Sequence, residues 1–367
     1  MLLSELTGDA RRLALVGLAK NTGKTVTLTA LLAELRARGT VVGVTSVGRD
    51  GEQHDVIDFR IDKPRVDLPA GSLVATTDAL LGASGIEHEV LERTGLGTPL
   101  GEVLLARLLA GGEIEIAGPS AAADARAVAD AMLDHGAGQV LIDGAIDRRA
   151  ASSPRIADAL LMCTGAILSE DIEEVVARTA DAVALARLPA LSASSPVARR
   201  AAELASAGHA SAVLDEEGRE LERLPARYAL TAAASDVAAL LARHASARTL
   251  LIAGAMPESF VAGVAAAARR SGREIAVAIA DPTHAFLQER GPEHYRAQGA
   301  AIVALAPIDL RALTVNPVAP QSHSFDSARL RELLATAIGG VPIFDVRHAG
   351  YRGSQPPGER PTMPTAR

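Results

Sequence analysis

The sequence predicts an α/β protein in which one α/β domain follows another. Two segments of the first half, residues 13–16 and 139–144, have the continuous apolar centre that is typical of buried parallel strands. Segments of helical periodicity separate runs of this kind throughout the chain, which indicates a mainly parallel sheet. Hydrophobic residues make up 48% of the 367 residues, so two domains can each bury a core.

The first predicted strand leads into the sequence GLAKNTGKT at residues 17–25, which we call the glycine loop. Loops of this type point backbone N–H groups at phosphates, while the lysine supplies charge and the threonine a metal ligand. The sequence therefore predicts that the chain binds a nucleoside triphosphate with Mg²⁺. The predicted contacts are Lys20, Asn21, Thr22, Gly23, Lys24 and Thr25, with Lys24 on the phosphates and Thr25 also on the metal.

The spacing of the glycine loop departs from the usual pattern by one residue. The first glycine usually falls where this chain has Leu18, but here it is Gly17. A helix that ends at Gly39 is predicted after the loop, so its N-terminus would point at the nucleotide. Its predicted buried face contains Val26, Leu28, Leu31, Leu32 and Leu35. The flanking strand and helix favour a nucleotide site in spite of the shifted glycine.

Two acidic residues follow predicted strands at their carboxyl ends, where α/β sheets bind ligands. Asp50 comes after the β-branched strand at residues 40–47, and we interpret it as a Mg²⁺ ligand, with a solvated acidic turn as the alternative. Asp143 lies at the end of the strand at residues 139–144. We predict that Asp143 is a metal ligand and, with Lys24, a catalytic residue, and the alternative is a cap of the next turn.

The remaining patterns of the first half suggest where the first domain ends. Residues 72–77 and 160–169 are predicted strands, residues 121–135 and 170–187 are predicted helices, and residues 78–118 fit neither period clearly. The predicted domains are a P-loop nucleotide-binding domain at residues 1–190, a second α/β, Rossmann-like domain at residues 205–350, and a disordered tail at residues 351–367.

The second half is predicted to open with a hairpin at residues 213–221 and to continue as alternating strands and helices. Its strands are predicted at residues 250–255, 275–280, 301–306 and 341–346. Asp281 directly follows one of these strands, and Asn316 follows the next after a short polar segment. Both are candidates for a second ligand site, although Asp-Pro and Asn-Pro are also common turn formers.

Composition argues against several classes of function. A net charge of −7 and an aromatic content of 2% disfavour nucleic-acid binding. No long uncharged apolar run is present and charges interrupt the N-terminal residues, so we expect no membrane span, no secretion and a cytoplasmic location. The single Cys163 lies in an apolar run and is predicted to pack in the core. No histidine pair has metal-ligand spacing, so Mg²⁺ is the one metal predicted.

Five segments together resemble one known family. They are GLAKNTGKT, TSVGRDGE with HDVIDF after it, LIDGAIDRRAASSP, IADPTHAF and TVNPVAP. This combination resembles the smaller P-loop subunit of the lysine 5,6-aminomutase reactivase over residues 13–347. The AKNTGKT segment alone also resembles the loop of molybdopterin-guanine dinucleotide biosynthesis adapters, and the Asp-Gly strand end resembles that of dethiobiotin synthetase.

The resemblance implies an ATPase subunit that helps reactivate an adenosylcobalamin-dependent aminomutase. ATP and Mg²⁺ would drive the exchange of damaged cobalamin, and a MutS-like ATPase subunit and the aminomutase itself would be the partners. It also implies that Gly23, Lys24 and Thr25 bind phosphate and metal, that Asp143 belongs to the metal site, and that Asp50 lies in a switch-like segment.

Two further interpretations stay open. One is an ATP-dependent small-molecule ligase resembling dethiobiotin synthetase, which would turn over alone with its substrate. The other is an adapter that binds nucleotide and hydrolyses it slowly. The sequence contains no Asn-Lys-x-Asp motif for guanine, which favours ATP over GTP in each case.

Overall fold

The chain has the α/β class that its sequence predicts. The computed structural model describes residues 2–47, 65–145, 151–206, 211–320 and 322–347. Two compact units are formed, the first by residues 1–179 and 310–367 and the second by residues 180–309. In the sequence, the second unit is therefore an insertion within the first.

The elements are numbered along the chain. The strands are β1 Arg12–Gly17, β2 Val42–Ser46, β3 Val66–Leu68, β4 Leu73–Thr77, β5 His88–Thr98, β6 Gly101–Leu108, β7 Gly112–Ile114, β8 Gln139–Ala145, β9 Ala159–Gly165, β10 Ser211–Leu214, β11 Glu220–Leu224, β12 Thr249–Ile252, β13 Met256–Pro257, β14 Ile275–Ile279, β15 Ala285–Phe286, β16 Ala300–Ala304, β17 Leu310–Asn316 and β18 Ile343–Phe344. The helices are α1 Leu3–Thr7, α2 Lys24–Ala37, α3 Asp78–Ser84, α4 Ala122–Asp134, α5 Ile172–Ala186, α6 Pro196–Ser206, α7 Tyr228–Thr231, α8 Ala234–Arg243, α9 Glu258–Ser271, α10 Pro292–Arg296 and α11 Ser327–Ile338. Across the described ranges, no helix combines the length and the apolar character that a membrane span requires.

A mixed nine-stranded sheet organises the described part of the first unit. Its strand order is β18-β17-β9-β1-β8-β2-β4-β6-β5. The strands from β18 to β4 pair in parallel, whereas β6 runs antiparallel to β4 and to β5. The sequence predicts the parallel strands β1, β2, β4, β8 and β9 of this sheet, but it does not predict β17 as a strand, and the β5–β6 hairpin lies in the segment whose pattern fits neither period. This order places β1, which leads into the glycine loop, in the middle of the parallel strands.

The central strand and the helix after it form the core beneath the glycine loop. Leu13, Ala14 and Leu15 of β1 have no solvent exposure, as expected of a strand that is covered on both faces. The buried residues of α2 are Thr27, Leu28, Leu31, Leu32 and Leu35. The prediction for Val26 is wrong, because its side chain is 40% exposed and the neighbouring Thr27 is buried instead.

The predicted domain boundary requires a correction after residue 309. Residues 310–347 were predicted to belong to the second domain, but β17, α11 and β18 belong to the first unit. β17 pairs in parallel with β9, with Leu313 opposite Met162, and extends the large sheet. Asn316 is therefore the last residue of β17, and Thr314 lies within that strand, whereas the sequence placed Asn316 after a strand. An apolar run shows that a strand is buried, but it does not show which sheet the strand joins.

The second unit is organised by its own five-stranded sheet, in the order β11-β10-β12-β14-β16. β12, β14 and β16 are parallel, and β10 pairs antiparallel with β11 and with β12. The predicted hairpin near residues 213–221 is confirmed by the β10–β11 pair. Helices α8 and α9 pack together and supply Val237, Leu240, Phe260 and Val264 to the core.

One carboxylate of the second unit holds a loop in place. Glu258 is the first residue of α9, and its oxygens accept hydrogen bonds from the backbone N–H groups of Gln288, Glu289 and Arg290 at 2.7–2.9 Å. The Tyr295 hydroxyl also donates to Glu258. Burial disfavours the charged carboxylate, but these four donors outweigh it and lower the pKa of Glu258 below its ordinary value of 4.5.

Replacing Glu258 should remove a stabilising contribution that depends on pH. A lowered pKa means that the carboxylate stabilises the fold above pH 4.5 and loses this effect as the pH falls through the folded pKa. We expect Glu258→Gln to lower the melting temperature by a few degrees at pH 7, and the difference from wild type to shrink in acid. Thermal melts from pH 3 to 8 measure this. Glu216→Gln, in the exposed β10–β11 turn, is the control. A difference that is independent of pH would contradict the assignment.

Candidate functional site

The glycine loop lies at the carboxyl edge of the large sheet. It leaves β1 between two parallel neighbours, β8 on one side and β9 on the other. In the register with β8, Leu15 is opposite Asp143 and Val16 is opposite Gly144. The loop is joined to β9 by a hydrogen bond from Leu18 N–H to Cys163 O, at 2.9 Å. The edge occupied by the loop is the one at which ligands of parallel sheets bind.

The path of the loop explains why its first glycine is at position 17. Thr22 is 1% exposed, and its hydroxyl donates to Ala19 O at 3.0 Å, so the loop folds back on itself. A β-carbon at position 17 would lie 2.5 Å from Thr22 Oγ1, which is far closer than two such atoms can approach. A side chain at position 17 would therefore displace the buried Thr22 hydroxyl, whereas Leu18, one position later, has a half-buried side chain in this path of the loop.

Two residues of the loop have left-handed backbone geometry. The φ angle is +64° at Asn21 and +87° at Gly23. α2 begins directly afterwards, and Thr27 N–H closes its first turn on Gly23 O at 2.9 Å. The side chains of Lys20 and Asn21 are exposed, and that of Thr25 is half-buried. Turns of this kind direct consecutive N–H groups to one side, where the start of a helix adds a partial positive charge.

Lys24 connects the start of α2 to the end of β8. Its Nζ lies 2.8 Å from Asp143 Oδ1 and donates to Gly144 O at 3.0 Å. The side chains of Lys24 and Asp143 are 25% and 33% exposed, so both remain accessible to a ligand. The structure thus brings together the two residues that the sequence predicts to be catalytic.

The third predicted metal ligand, Asp50, lies outside the described residues, but the strand that leads to it is described. β2 pairs with β8 so that Ser46 is opposite Asp143. Val47, the last described residue before Asp50, donates its N–H to Asp143 O at 3.1 Å. Within the described ranges, no three His, Cys, Asp or Glu side chains cluster as a metal site. Of the predicted metal ligands, Thr25 and Asp143 are among the described residues, Thr25 in the first turn of α2 and Asp143 near the end of β8.

A group of buried polar side chains joins three elements next to the glycine loop. Thr27 Oγ1 and Thr314 Oγ1 are 2.8 Å apart, and Cys163 Sγ donates to Thr27 Oγ1 at 3.6 Å. These contacts join α2, β17 and β9. Cys163 has no solvent exposure, and burial raises the pKa of its thiol. This burial confirms the prediction that Cys163 packs in the core. A buried neutral thiol is also a poor nucleophile.

The structure places one further residue against the loop that the sequence did not assign to it. Asn316, at the end of β17, donates from Nδ2 to Asn21 O at 2.9 Å. Its Oδ1 accepts a hydrogen bond from Arg347 Nη1 at 3.1 Å. From the sequence, Asn316 is a candidate for a second ligand site or a turn former. Asn21 and Asn316 are the only two asparagines in the chain, but such scarcity does not predict a contact, which depends on the pairing of β17 with β9.

Asp281, the other candidate for a second ligand site, lies in the second unit and has a structural role. It is 1% exposed, and its Oδ1 accepts hydrogen bonds from Thr283 N and Thr283 Oγ1. It caps the short 3-10 turn Pro282–His284. The sequence offered an Asp-Pro turn as the alternative to a ligand site, and the structure shows a local structural role of that kind, with Asp281 itself as the cap.

Comparison of the chain with protein-family models, with curated proteins and with solved structures gives no match.

Adding a methyl group at Gly17 should destabilise the first unit. Gly17→Ala places a β-carbon against buried Thr22 Oγ1, and relieving that overlap should cost about 1–3 kcal/mol of unfolding free energy. Gly82→Ala is the matched control, because Gly82 lies in α3 with open space around it, and alanine there should be neutral or stabilise by up to about 1 kcal/mol. Urea unfolding of both variants measures the difference. Equal stability of the two would show that the loop does not need glycine at position 17.

Proposed function

We propose that the chain is a P-loop ATPase, which binds MgATP at the glycine loop and hydrolyses it. The observation that carries this proposal is the position of Lys24. Its ammonium group, at the start of α2, meets a carboxylate and a backbone carbonyl of β8 about 120 positions along the chain. The loop thus leads into a helix whose first residue, Lys24, contacts a carboxylate of β8, and the next residue, Thr25, is half-buried.

The loop has the properties that a triphosphate requires. The left-handed residues Asn21 and Gly23 turn the backbone just before α2, and a 14-residue helix contributes partial positive charge at its N-terminus. The contact between Lys24 and Asp143 is partly exposed, and such a pair stabilises the fold by only about 0–1 kcal/mol. The ammonium group can therefore move from Asp143 to a phosphate at little cost.

The oxygen donors near the loop fit Mg²⁺. Threonine hydroxyl and carboxylate oxygens are hard ligands of the kind that this ion prefers. Thr25 and Asp143 would hold it, together with Asp50 as the sequence suggests. When bound, Mg²⁺ neutralises charge on the phosphate oxygens. Lys24 would move to the same oxygens and orient them, which would leave the Asp143 carboxylate to hold the metal.

Two features of the chain favour ATP over GTP as the nucleotide. Recognition of guanine by the common Asn-Lys-x-Asp motif is not available to this chain. Asn316 is followed by Pro317 and Val318, and its amide is already used by the loop and by Arg347. These features favour ATP.

Removal of the Lys24 side chain should abolish most of the affinity for MgATP. In wild type, MgATP at about 100 times its Kd should add about 2.7 kcal/mol to the unfolding free energy of the unit that binds it. Lys24→Ala should show no such stabilisation, because the lost contact is to ligand phosphate, and its unliganded melting temperature should change little. Arg270→Ala, which removes an exposed charge of the second unit, is the control. Calorimetric titration of MgATP tests both variants, and unchanged affinity in Lys24→Ala would refute the site.

We further propose that hydrolysis serves the reactivation of an adenosylcobalamin-dependent aminomutase, of the lysine 5,6-aminomutase type. The support is the resemblance in several segments, of which GLAKNTGKT and TVNPVAP lie in the first unit and IADPTHAF in the second. A separate unit with its own sheet and core suits a protein that uses ATP to act on another macromolecule. A MutS-like ATPase subunit would be the second component, and damaged cobalamin would be exchanged for intact cofactor.

A reconstituted reactivation assay tests this role. An aminomutase that has been inactivated with damaged cobalamin should regain activity when this chain, a MutS-like subunit, MgATP and fresh adenosylcobalamin are added. Asp143→Asn should still bind nucleotide but reduce hydrolysis and recovery at least about tenfold, because it keeps the shape of the side chain and removes its charge. Chelation of Mg²⁺ should abolish recovery. Rapid ATP turnover with a small carboxylate substrate and no partner would instead indicate a ligase.

A further inference from the structure

The only two asparagines in this chain are hydrogen-bonded to each other. Asn316 Nδ2 donates to Asn21 O at 2.9 Å, across 295 positions of sequence. One asparagine lies in the glycine loop, and the other ends the strand that returns to the large sheet after the second unit. The contact therefore joins the loop to a part of the chain that sequence proximity could not supply.

Asn21 has a backbone conformation that needs support. Its φ of +64° is the single left-handed value among the non-glycine residues that the structure describes. This conformation brings a β-carbon close to the backbone, and asparagine tolerates it better than most residues but less well than glycine. The hydrogen bond from Asn316 Nδ2 to the Asn21 carbonyl offsets the conformational free-energy cost. This bond can form only while the Asn21 carbonyl points toward Asn316.

The half-buried Asn316 makes further contacts besides the one with Asn21. Its Oδ1 accepts hydrogen bonds from Val318 N at 3.3 Å and from Arg347 Nη1 at 3.1 Å. These two donors identify the oxygen of the amide, so its nitrogen faces the loop. A β-carbon at Gly23 would be 3.1 Å from Asn316 Cβ, and one at Gly165 would be 2.4 Å from Asn316 O. The loop and the end of β9 thus fit closely around this residue.

We propose that Asn316, oriented by Arg347, is a positioning residue that holds the glycine loop in its phosphate-binding conformation. The affinity for nucleotide then depends on β17 and on the residues after β18, and not on the loop sequence alone. This inference rests on the proposed nucleotide-binding function. Asn316 acts through the Asn21 peptide group, so it needs no contact with the nucleotide itself.

A double-mutant cycle on the two asparagines tests the proposal, with MgATP as the probe and full-length protein throughout. Asn316→Ala should raise the Kd for MgATP about tenfold, while the melting temperature without nucleotide changes little. In an Asn21→Gly background the same replacement should raise Kd less than threefold, because glycine adopts the left-handed conformation without help. Arg311→Ala is the matched control, since Arg311 pairs with Asp9 near the other end of β17 and should leave Kd unchanged.

The outcomes separate this inference from the function on which it rests. If wild type fails to bind MgATP, the proposed function fails and the inference fails with it. If wild type binds and Lys24→Ala does not, the function stands. In that case an unchanged Kd in Asn316→Ala, or an increase of the same size in both backgrounds, overturns the positioning role alone. Should Asn316→Ala fold poorly, Arg347→Ala provides the second measurement, because it removes one of the two hydrogen-bond donors to Asn316 Oδ1 and should raise Kd at least threefold. Unchanged affinity in that variant also overturns the role.

Discussion

The contact of Lys24 with Asp143 and Gly144 is the interaction around which the candidate site is arranged. It joins the start of α2 to the end of β8, and it can form because β1 and β8 are adjacent and parallel. The carboxyl ends of parallel strands lie at one edge of the sheet, so residues that are distant in sequence meet there. The pair is partly exposed and weak enough to be exchanged for a ligand.

The second constraint is steric and acts within the loop. Gly17 leaves room for the buried Thr22 hydroxyl, and the left-handed geometry at Asn21 and Gly23 completes the turn into α2. In the core next to the loop, the Thr27 hydroxyl is hydrogen-bonded to the Thr314 hydroxyl and to the Cys163 thiol. Buried polar groups without partners are costly, so this arrangement fixes how α2, β9 and β17 pack.

The insertion of the second unit, which begins within α5 and ends just before β17, explains the largest error of the sequence interpretation. Each half of the chain alternates strands with helices, so a division near residue 200 was the simplest one. Residues 310–347 instead return to the first sheet, and they bring Asn316 to the loop. The hairpin β5–β6 was missed for a different reason, because β5 is largely exposed and lacks the apolar run that identifies a buried strand.

The sequence by itself determined the local parts of this protein: the strand, the glycine loop and the helix at residues 12–37, the buried strand containing Asp143, and the burial of Cys163. These follow from short-range periodicity and from glycine positions, both of which depend on neighbours along the chain. Only the tertiary structure decided that Lys24 meets Asp143 and that Asn316 supports Asn21. The same is true of the sheet to which the last strands belong. Pairing between parallel strands depends on long-range packing, which no local pattern specifies.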